Sequence, residues 1–433
     1  VWTGWGWARG TGRPPRLSPA GLPWVLFAAW ALVATTWSVN PADSLRRTLE
    51  LVGAVLAFWL GRTCARQGVK LRTLAVGAAA LCSVYGVLQF LGIDPLPWST
   101  RFGARAFGTL ANPDYYAGHL TLVLPLALAA FVVARGGGAL AAGETAVLAA
   151  GFLLSQVRGA WLAAGTAAAW MAWCIIRGGP LRPQERSRLA RSGAVAAAML
   201  ALAFAFSADF RGRLTSLVAV RGYDATGRRF LWTVAEHIWR ERPLAGFGTG
   251  SFKFQFPRHQ AVGLTMGLPQ FRSYNYSEHA HNEVLQFGAE LGAVGLFLFA
   301  WGILAWWWSW RARVRALATL GARRAWWEEV GLGAGIAGVG AYTMVNFPFQ
   351  IVPTAALIWI LLGASSGRGE AEDREWTLPG PLARLAGGAL VALGLAGAIL
   401  AARDFPGNAC FKNLRGLGEQ GGWHNAVGWG LRA

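Results

Sequence analysis

The chain has 433 residues, of which 54% are hydrophobic and 14% charged, whereas soluble domains average about 25% charged residues. So few charged side chains cannot cover the several soluble domains expected at this length, and the composition also excludes disordered, collagen-like and coiled-coil chains. The net charge is +19, from 40 Lys and Arg against 21 Asp and Glu, a balance also found in nucleic-acid binders. The composition indicates a polytopic membrane protein, and the placement of the charge must decide between these two classes.

Apolar runs predict an all-α, polytopic transmembrane bundle of about eleven spans, because a membrane-spanning helix needs roughly 20 mostly apolar residues. The candidates are residues 21–38, 48–61, 71–91, 115–134, 143–157, 159–176, 192–207, 284–308, 330–346, 350–364 and 382–401. The sequence starts at Val1 without Met and stops at Ala433 inside a helical pattern. We therefore expect it to be a fragment of a longer protein.

Arginine-rich loops set the predicted orientation, because short cytoplasmic loops carry an excess of Lys and Arg. The loops at 177–191 and 311–324 are the richest in arginine, and counting spans places 62–72 on the same side. The opposite, outer side then holds 92–114, 208–283 and the tail after residue 402. Since the positive charge mostly follows topology, we expect contacts with membrane lipids and no nucleic-acid partner.

This topology divides the chain into four parts. They are N-terminal transmembrane helices (1–207), a long outer loop (208–283), C-terminal transmembrane helices (284–401) and an outer helical tail (402–433). Long loops usually carry function, and 230–239 predicts a short helix lying on the membrane surface. The tail resembles the first repeat of a tetratricopeptide array, which would recruit a protein partner, although a plain amphipathic hairpin explains it equally well.

Two motifs precede the long loop. FGTLANPDYYAGHL at 107–120 starts a helix at Asn112, and Asp114 suits the positive helix N-terminus; a simple helix cap is the better explanation of both. SQVRGAWL at 155–162 places Arg158 between two apolar runs with no acid within ten residues. An arginine at the membrane boundary indicates function, the alternative being a side chain that snorkels to the interface.

Inside the loop, GRRFLW at 227–232 supplies Arg228 and Arg229, and ERPLAGFGTGSF at 241–252 forms a glycine-rich turn. Such backbone can cradle phosphate, although the pattern is also common in ordinary turns. Arg242 suits either a phosphate of the substrate or a lipid head group.

The most informative segment is SEHAHNEVLQFGAELGAVG at 277–295, which holds His279, His281 and Asn282 where the loop enters the next span. The HxH pattern is compatible with a metal, but a closed site would need more ligands nearby, and we predict neither a metal nor a cofactor. A plain interfacial histidine is the alternative for both residues, and it is favoured for His279.

Arg158, Arg228 and His281 fall on one face of the membrane in this topology. Two arginines can hold a diphosphate, and a neutral histidine can accept a proton from a hydroxyl. The combination suits displacement of a lipid diphosphate by a sugar hydroxyl.

At these motifs the chain resembles the O-antigen ligase and O-antigen polymerase superfamily of bacterial membrane glycosyltransferases, over roughly residues 20–364. The most specific feature is the His281-Asn282 pair followed by nine residues, Gly292, two residues and Gly295. The resemblance implies a multi-pass inner-membrane enzyme with its active site facing the periplasm. The implied donor is a glycan on undecaprenyl diphosphate, and the acceptor is a hydroxyl of lipid A–core, of another glycan or of a protein.

The resemblance also implies roles for the site residues. Arg158 and Arg228 would bind the diphosphate, and His281 would act as general base or orient the acceptor. Arg229, His279, Asn282, Arg242 and Asn112 are our candidates for further substrate contacts. The extra span at 382–401 and the tail depart from a plain lipopolysaccharide ligase. Two alternatives stay open: an inorganic-carbon type transporter, with Glu50 and Glu290 as its membrane carboxylates, and a non-catalytic anchor for the tail.

Overall fold

The structure is a computed structural model that describes residues 20–94, 102–103, 105–215, 223–262 and 277–366, with short pieces at 6, 8–10, 16–17, 376–377, 380–381, 384 and 388. It is all-α, as predicted, apart from the antiparallel pairing of two short strands, β1 (Arg16–Leu17) and β2 (Trp376–Thr377). The tail 402–433 and the candidate span 382–401, apart from isolated residues, lie outside the described part of the chain.

The described residues form thirteen α-helices. In chain order they are α1 (Leu22–Ala34), α2 (Pro41–Arg66), α3 (Leu71–Phe90), α4 (Pro113–Val132), α5 (Ala139–Ser155), α6 (Arg158–Arg177), α7 (Pro183–Phe206), α8 (Ala208–Thr215), α9 (Tyr223–Glu241), α10 (Phe252–His259), α11 (Glu283–Thr319), α12 (Arg323–Tyr342) and α13 (Val352–Ser366). The first ten of the eleven predicted spans each coincide with one of these helices.

Six of the described helices are long and apolar enough to cross a membrane, namely α2, α3, α4, α6, α7 and α11. α1, α5 and α13 are apolar but shorter. α12 has 20 residues, the same number as α3, and carries two arginines and two glutamates near its start. A polytopic helical bundle is therefore confirmed, while the total number of spans stays a prediction.

Small residues let the central helices approach closely. α2 packs on α13, where Gly61 lies against the backbone of Ile360 and Gly363 against the backbone of Phe58. A methyl group at either glycine would overlap the facing carbonyl oxygen. This is the way in which small residues allow van der Waals packing between helices inside a membrane.

Buried ion pairs lock one end of the bundle, called here the arginine-rich end. The Glu329 carboxylate on α12 is fully buried and accepts hydrogen bonds from Arg72 at 2.6 Å, Arg313 at 2.8 Å and Ser365 at 2.9 Å. α3, α11 and α13 are thereby tied to α12. A buried charge is tolerated only when it is paired in this way.

A second buried carboxylate ties the two arginine-rich loops to each other. Glu185, at the start of α7, accepts two hydrogen bonds from Arg323, both at 2.7 Å, and one from Trp327 at 2.9 Å. Arg188 donates to the carbonyl groups that end α4, with distances of 2.7–3.1 Å. These arginines therefore hold the structure together as well as marking its topology.

The other end of the bundle gathers the remaining connections and is called here the loop end. It comprises residues 35–40, 91–112, 156–157, 207–282 and 343–351, as far as they are described. Its segments touch one another: the backbone N–H of Glu283 donates to Thr343 at 2.9 Å, and Arg105 donates to the carbonyl oxygen of Ser155 at 3.0 Å. The described segments at this end of the bundle therefore contact one another.

Candidate active site

The described part of the long loop folds into three helices, α8, α9 and α10. α9 packs on α11 and contributes to a small second core, made of Phe230, Val234, Ala235, Ile238, Phe247, Phe252, Phe256, Ala280 and Ala289. The structure thus differs from the predicted surface helix at 230–239, because α9 runs from Tyr223 to Glu241 and its apolar face is covered by protein. An amphipathic pattern shows that one face is apolar but not what covers it.

His281 lies in the segment that leads from the loop into α11. Its backbone is left-handed, with φ of 51°, a conformation that non-glycine residues adopt at a free-energy cost. The indole N–H of Trp232 donates to the carbonyl oxygen of His281 at 3.3 Å. Trp232 stands one helical turn after Arg228 on α9, and the charge of Arg228 reaches the His281 imidazole. The structure therefore brings these two predicted catalytic residues to the same place.

Asn282 caps α11 and fixes its start. Its side-chain oxygen accepts from the backbone N–H of Leu285 at 3.1 Å, and its amide donates to the carbonyl oxygen of Met344 at 3.0 Å. An N-cap of this kind stabilises a helix by about 1 kcal/mol. These two contacts give Asn282 a structural reason to follow His281, because they join the histidine segment to the segment after α12.

Both histidine rings pack against Phe347, which follows α12. His279 stacks on the phenyl ring with centroids 4.2 Å apart and planes at 25°, and His281 meets it edge-on at 4.7 Å and 89°. Phe347 therefore holds the two imidazoles in a fixed relation to each other.

The surroundings favour the neutral form of both imidazoles. Burial, followed by the charge of Arg228, lowers the pKa of His281 to about 4, while Asp114 opposes the shift. Burial, followed by the charges of Arg47 and Lys253, lowers the pKa of His279 to about 3. Desolvation penalises the charged form of a histidine, and nearby cations act in the same direction. At neutral pH each ring therefore offers one unprotonated nitrogen as a hydrogen-bond acceptor.

Arg158 is the first residue of α6 and is half-buried. A methyl group on the next residue, Gly159, would lie 3.0 Å from Val345 and 3.5 Å from Tyr342, near the end of α12. The Tyr342 hydroxyl in turn donates to the carbonyl oxygen of Asp114 at 2.8 Å, and the charge of Asp114 reaches His281. The start of α6 thus borders the same polar region as the histidine segment.

Asn112 caps α4, which is the simpler of its two predicted roles, the other being a contact with substrate. Its side-chain oxygen accepts from the backbone N–H of Asp114 at 2.8 Å, and Pro113 opens α4. The preceding Ala111 has a left-handed backbone, with φ of 58°. The Asp114 carboxylate lies 3.7 Å from the Arg105 guanidinium, so an ion pair stands where the sequence indicated only a helix start.

The glycine-rich turn at 246–250 does not offer its N–H groups to a phosphate. The backbone N–H groups of Phe247 and Gly248 donate to the carbonyl oxygens of Ala289 and Glu290 at 3.1 and 2.8 Å. The N–H of Gly250 donates to the Glu290 carboxylate at 2.8 Å. The Glu290 carboxylate therefore lies where we predicted that the turn would bind a phosphate. Glycine is needed in this turn because its backbone passes close to α11.

Arg229 and Arg242 are exposed. Arg229 neighbours Arg228 on α9, and its carbonyl oxygen accepts from the Thr233 hydroxyl at 3.0 Å. The Arg242 guanidinium lies over the Phe247 ring, 4.5 Å from its centroid. This contact places Arg242 against the glycine-rich turn.

The structure adds residues that sequence reasoning did not single out. Arg47 on α2 pairs with Glu50 at 2.9 Å, and Lys253 on α10 pairs with Asp43 at 2.9 Å. The charges of Arg47 and Lys253 both reach His279. Their convergence depends on the folding of the long loop onto α2, and no local pattern signals it.

A cleft opens beside the histidine segment, where the Tyr115 ring meets the Phe347 ring with centroids 5.8 Å apart. Its lining residues come from α4, α12 and the segment before α13, and they are Asp114, Tyr115, Gly118, Tyr342, Asn346, Pro348, Ile351 and Thr354. Among the described residues, no group of three or more His, Cys, Asp or Glu side chains is arranged to hold a metal ion.

These observations define a multi-pass helical membrane protein whose polar site, with two neutral histidines and several arginines, is covered by a folded loop. The model of the O-antigen ligase family matches residues 145–300, from α5 through the long loop into α11. This segment is similar to the O-antigen ligase family, in agreement with the resemblance found in the motifs. The family implies a glycosyltransferase with lipid-linked glycan and acceptor substrates. No curated protein matches the chain.

Proposed function

We propose that the protein is a metal-independent glycosyltransferase of the O-antigen ligase type. It moves a glycan from undecaprenyl diphosphate to an acceptor hydroxyl at the periplasmic face of the bacterial inner membrane, in the assembly of cell-surface polysaccharide such as lipopolysaccharide. The observation that carries the proposal is the neutral His281 imidazole inside the matched domain, held in a strained backbone and subject to the charge of Arg228. A base under the influence of a cation suits a reaction that removes a proton and releases an anion.

The reaction balances with these residues alone. The acceptor oxygen forms a bond to the anomeric carbon of the glycan, and the bond from that carbon to the diphosphate oxygen breaks. The acceptor proton passes to the unprotonated nitrogen of His281. Undecaprenyl diphosphate leaves with its additional negative charge, which Arg228 and Arg158 stabilise as fixed cations. Arg229 and His279 would contact the sugar or diphosphate close to these groups.

The acceptor decides between three related activities. A ligase uses lipid A–core, a polymerase uses another glycan repeat, and an oligosaccharyltransferase uses a protein hydroxyl. A protein partner bound through the tail at 402–433 would favour the last.

No observation favours transport. The two carboxylates that a transporter would use are engaged at the loop end, Glu50 with Arg47 and Glu290 with the glycine-rich turn.

The test is transfer of a radiolabelled glycan from undecaprenyl diphosphate in proteoliposomes, comparing the native protein with His281→Ala. His237→Ala is the matched control, because His237 is exposed on α9. We expect the native protein and the control to transfer label, and His281→Ala to lose at least ~100-fold in rate, the usual contribution of general base catalysis. Full transfer by His281→Ala would remove the base assignment, and no transfer by the native protein with any acceptor would reject the proposal.

The size of the product separates the three activities. A ladder of lengths indicates a polymerase, and one added glycan indicates a ligase or an oligosaccharyltransferase. Label that stays with protein after extraction of lipids identifies the oligosaccharyltransferase.

A further inference from the structure

The first turns of α11 carry three buried polar side chains on one face. Glu283, Gln286 and Glu290 are spaced three and four residues apart, and each is at most 2% exposed. Residues at this spacing lie above one another on a helix. Two buried carboxylates so close together need many hydrogen-bond donors, and the donors come from different segments of the loop end.

Glu290 holds the glycine-rich turn. Its carboxylate accepts from the backbone N–H groups of Gly250 at 2.8 Å and Phe252 at 3.4 Å, and from the Gln286 amide at 2.7 Å. All three donors are neutral N–H groups. Gly250 donates to one carboxylate oxygen, and Phe252 and Gln286 donate to the other, so both oxygens are used.

Gln286 extends this arrangement to the histidines. Its side-chain oxygen accepts from the backbone N–H of Ala280 at 2.7 Å, and Ala280 stands between His279 and His281. The polarity of the Gln286 amide is therefore fixed from both sides. Its oxygen must face Ala280, and its nitrogen must face Glu290. A continuous chain of hydrogen bonds runs from the glycine-rich turn through α11 to the backbone between the two histidines.

We propose that the Gln286–Glu290 pair is a positioning device that holds His281 in its strained conformation. The pair also fixes the position of His281 relative to the glycine-rich turn and to Lys253, which follows the turn. Its consequence for catalysis rests on the proposed function. The left-handed backbone of His281 persists only if surrounding contacts impose it, and the Ala280 N–H is the contact directly next to it. Releasing that contact lets the imidazole move away from Arg228, and a displacement of about 1 Å can slow a reaction ~100-fold.

Exchanging the two residues gives a sharp test. In Glu290→Gln, an amide nitrogen replaces one of the carboxylate oxygens and faces an N–H donor in either orientation, that of Gly250 or those of Phe252 and Gln286. In Gln286→Glu, two carboxylates face each other. In the double variant Gln286→Glu with Glu290→Gln, the carboxylate accepts from Ala280 and from the new amide, whose oxygen accepts from Gly250, and only the longer contact of 3.4 Å from Phe252 is lost. The chain of hydrogen bonds is then restored with its polarity reversed.

We expect each single variant to lower kcat for glycan transfer by ~10- to 100-fold with little change in the KM for the donor, and the double variant to recover most of the loss. Ser365→Ala is the control, since it removes one hydrogen bond to the buried Glu329 carboxylate at the opposite end. It should keep the native kcat. Native kcat in both single variants, or a double variant no better than the poorer single variant, would overturn the proposal.

A second measurement does not depend on catalysis. Diethyl pyrocarbonate acylates neutral imidazole, and mass spectrometry reports the rate at each histidine of the whole chain. We expect His281 to react several-fold faster in each single variant and at the native rate in the double variant, relative to the exposed His237. Equal rates in all four proteins would reject the positioning role. If this pattern holds while the native protein transfers no glycan, the proposed function fails and the positioning device stands.

Discussion

Left-handed backbone marks the candidate site at the level of single residues. Among the described residues, only Ala111, Gln156 and His281 have positive φ without being glycine, with values of 58°, 54° and 51°. All three lie at the loop end, next to or within the motifs that carry Asn112, Arg158 and His281. Strained conformations of this kind persist where the surrounding structure imposes them, and they concentrate at functional positions.

The protonation of His281 gives a residue-scale prediction. Because burial and Arg228 lower its pKa to about 4, the imidazole should stay neutral down to about pH 5 and become protonated only below that. In Arg228→Gln one of the two causes is removed while burial remains. The pKa should therefore rise, yet stay below the ordinary value of about 6.5. The rate of acylation of His281 by diethyl pyrocarbonate, followed against pH by mass spectrometry, reports this pKa directly.

Arg240→Gln is the control for that titration, because Arg240 is exposed on the same helix and pairs with Glu236 at 2.6 Å. It should leave the titration of His281 unchanged. A His281 pKa that is unchanged or lower in Arg228→Gln would mean that Arg228 does not act on the imidazole.

The second residue-scale prediction concerns Arg158. Loss of a cation that stabilises the departing diphosphate should lower kcat/KM for the lipid-linked donor by ~100- to 1,000-fold in Arg158→Ala. Arg177→Ala changes the same residue type at the opposite end of α6 and should retain activity. Arg158→Lys should recover part of the rate, since it keeps the charge but not the fork of donors. Equal activity of Arg158→Ala and Arg177→Ala would remove Arg158 from the site.

The kink in α11 is the main feature at the scale of elements. Gly292 interrupts the helix with φ of 66° and ψ of −171°, and the segment after α9 passes through the gap. The N–H groups of Ala293 and Val294 donate to the carbonyl oxygens of Pro243 and Leu244 at 2.8 and 3.3 Å. This explains why a glycine follows the His281-Asn282 pair after nine intervening residues, because a side chain at Gly292 would overlap the backbone of Leu244.

Gly292→Ala should therefore destabilise the protein. The backbone of Gly292 lies in a region that is essentially restricted to glycine and costs other residues about 1–3 kcal/mol, and the overlap with Leu244 adds to this. Gly340→Ala on α12 is the control, since a methyl group there meets nothing within 4 Å and alanine favours a helix by roughly 0.5–1 kcal/mol. The Tm in detergent should fall for Gly292→Ala and stay level or rise for Gly340→Ala. Equal Tm values in the two variants would contradict this explanation of the kink.

The helices were predictable and their contacts were not. Ten apolar runs predicted helices correctly because length and hydropathy are local properties of the chain. α9 was assigned to the membrane surface because its pattern cannot reveal that Phe256 and Ala280 cover it. Phe347 and Arg47 escaped notice for a related reason. They lie far in sequence from His279 and reach it only through tertiary packing.

At the scale of the whole molecule, the two ends of the bundle differ in the partners of their buried carboxylates. At the arginine-rich end, Glu185 and Glu329 are buried and saturated by arginine. Near the loop end, Glu290 accepts from neutral N–H groups, while Arg47 and Lys253 pair with the carboxylates of Glu50 and Asp43. One end is thus a structural clamp, and we propose that the other presents Arg228 and Arg158 to an anionic substrate.

This division yields a prediction about topology. If the loop end faces the periplasm, a cysteine placed there should react with a membrane-impermeant maleimide in intact spheroplasts, and one at the arginine-rich end should react only after permeabilisation. Arg240→Cys on α9 and Arg177→Cys at the end of α6 suit this test, because both side chains are exposed. The native protein gives the background from its own cysteines, of which Cys64 and Cys82 are half-buried. Labelling of Arg177→Cys but not of Arg240→Cys in intact spheroplasts would reverse the orientation. The proposed site would then face the cytoplasm, where a transferase acting on exported lipid-linked glycans could not reach its donor.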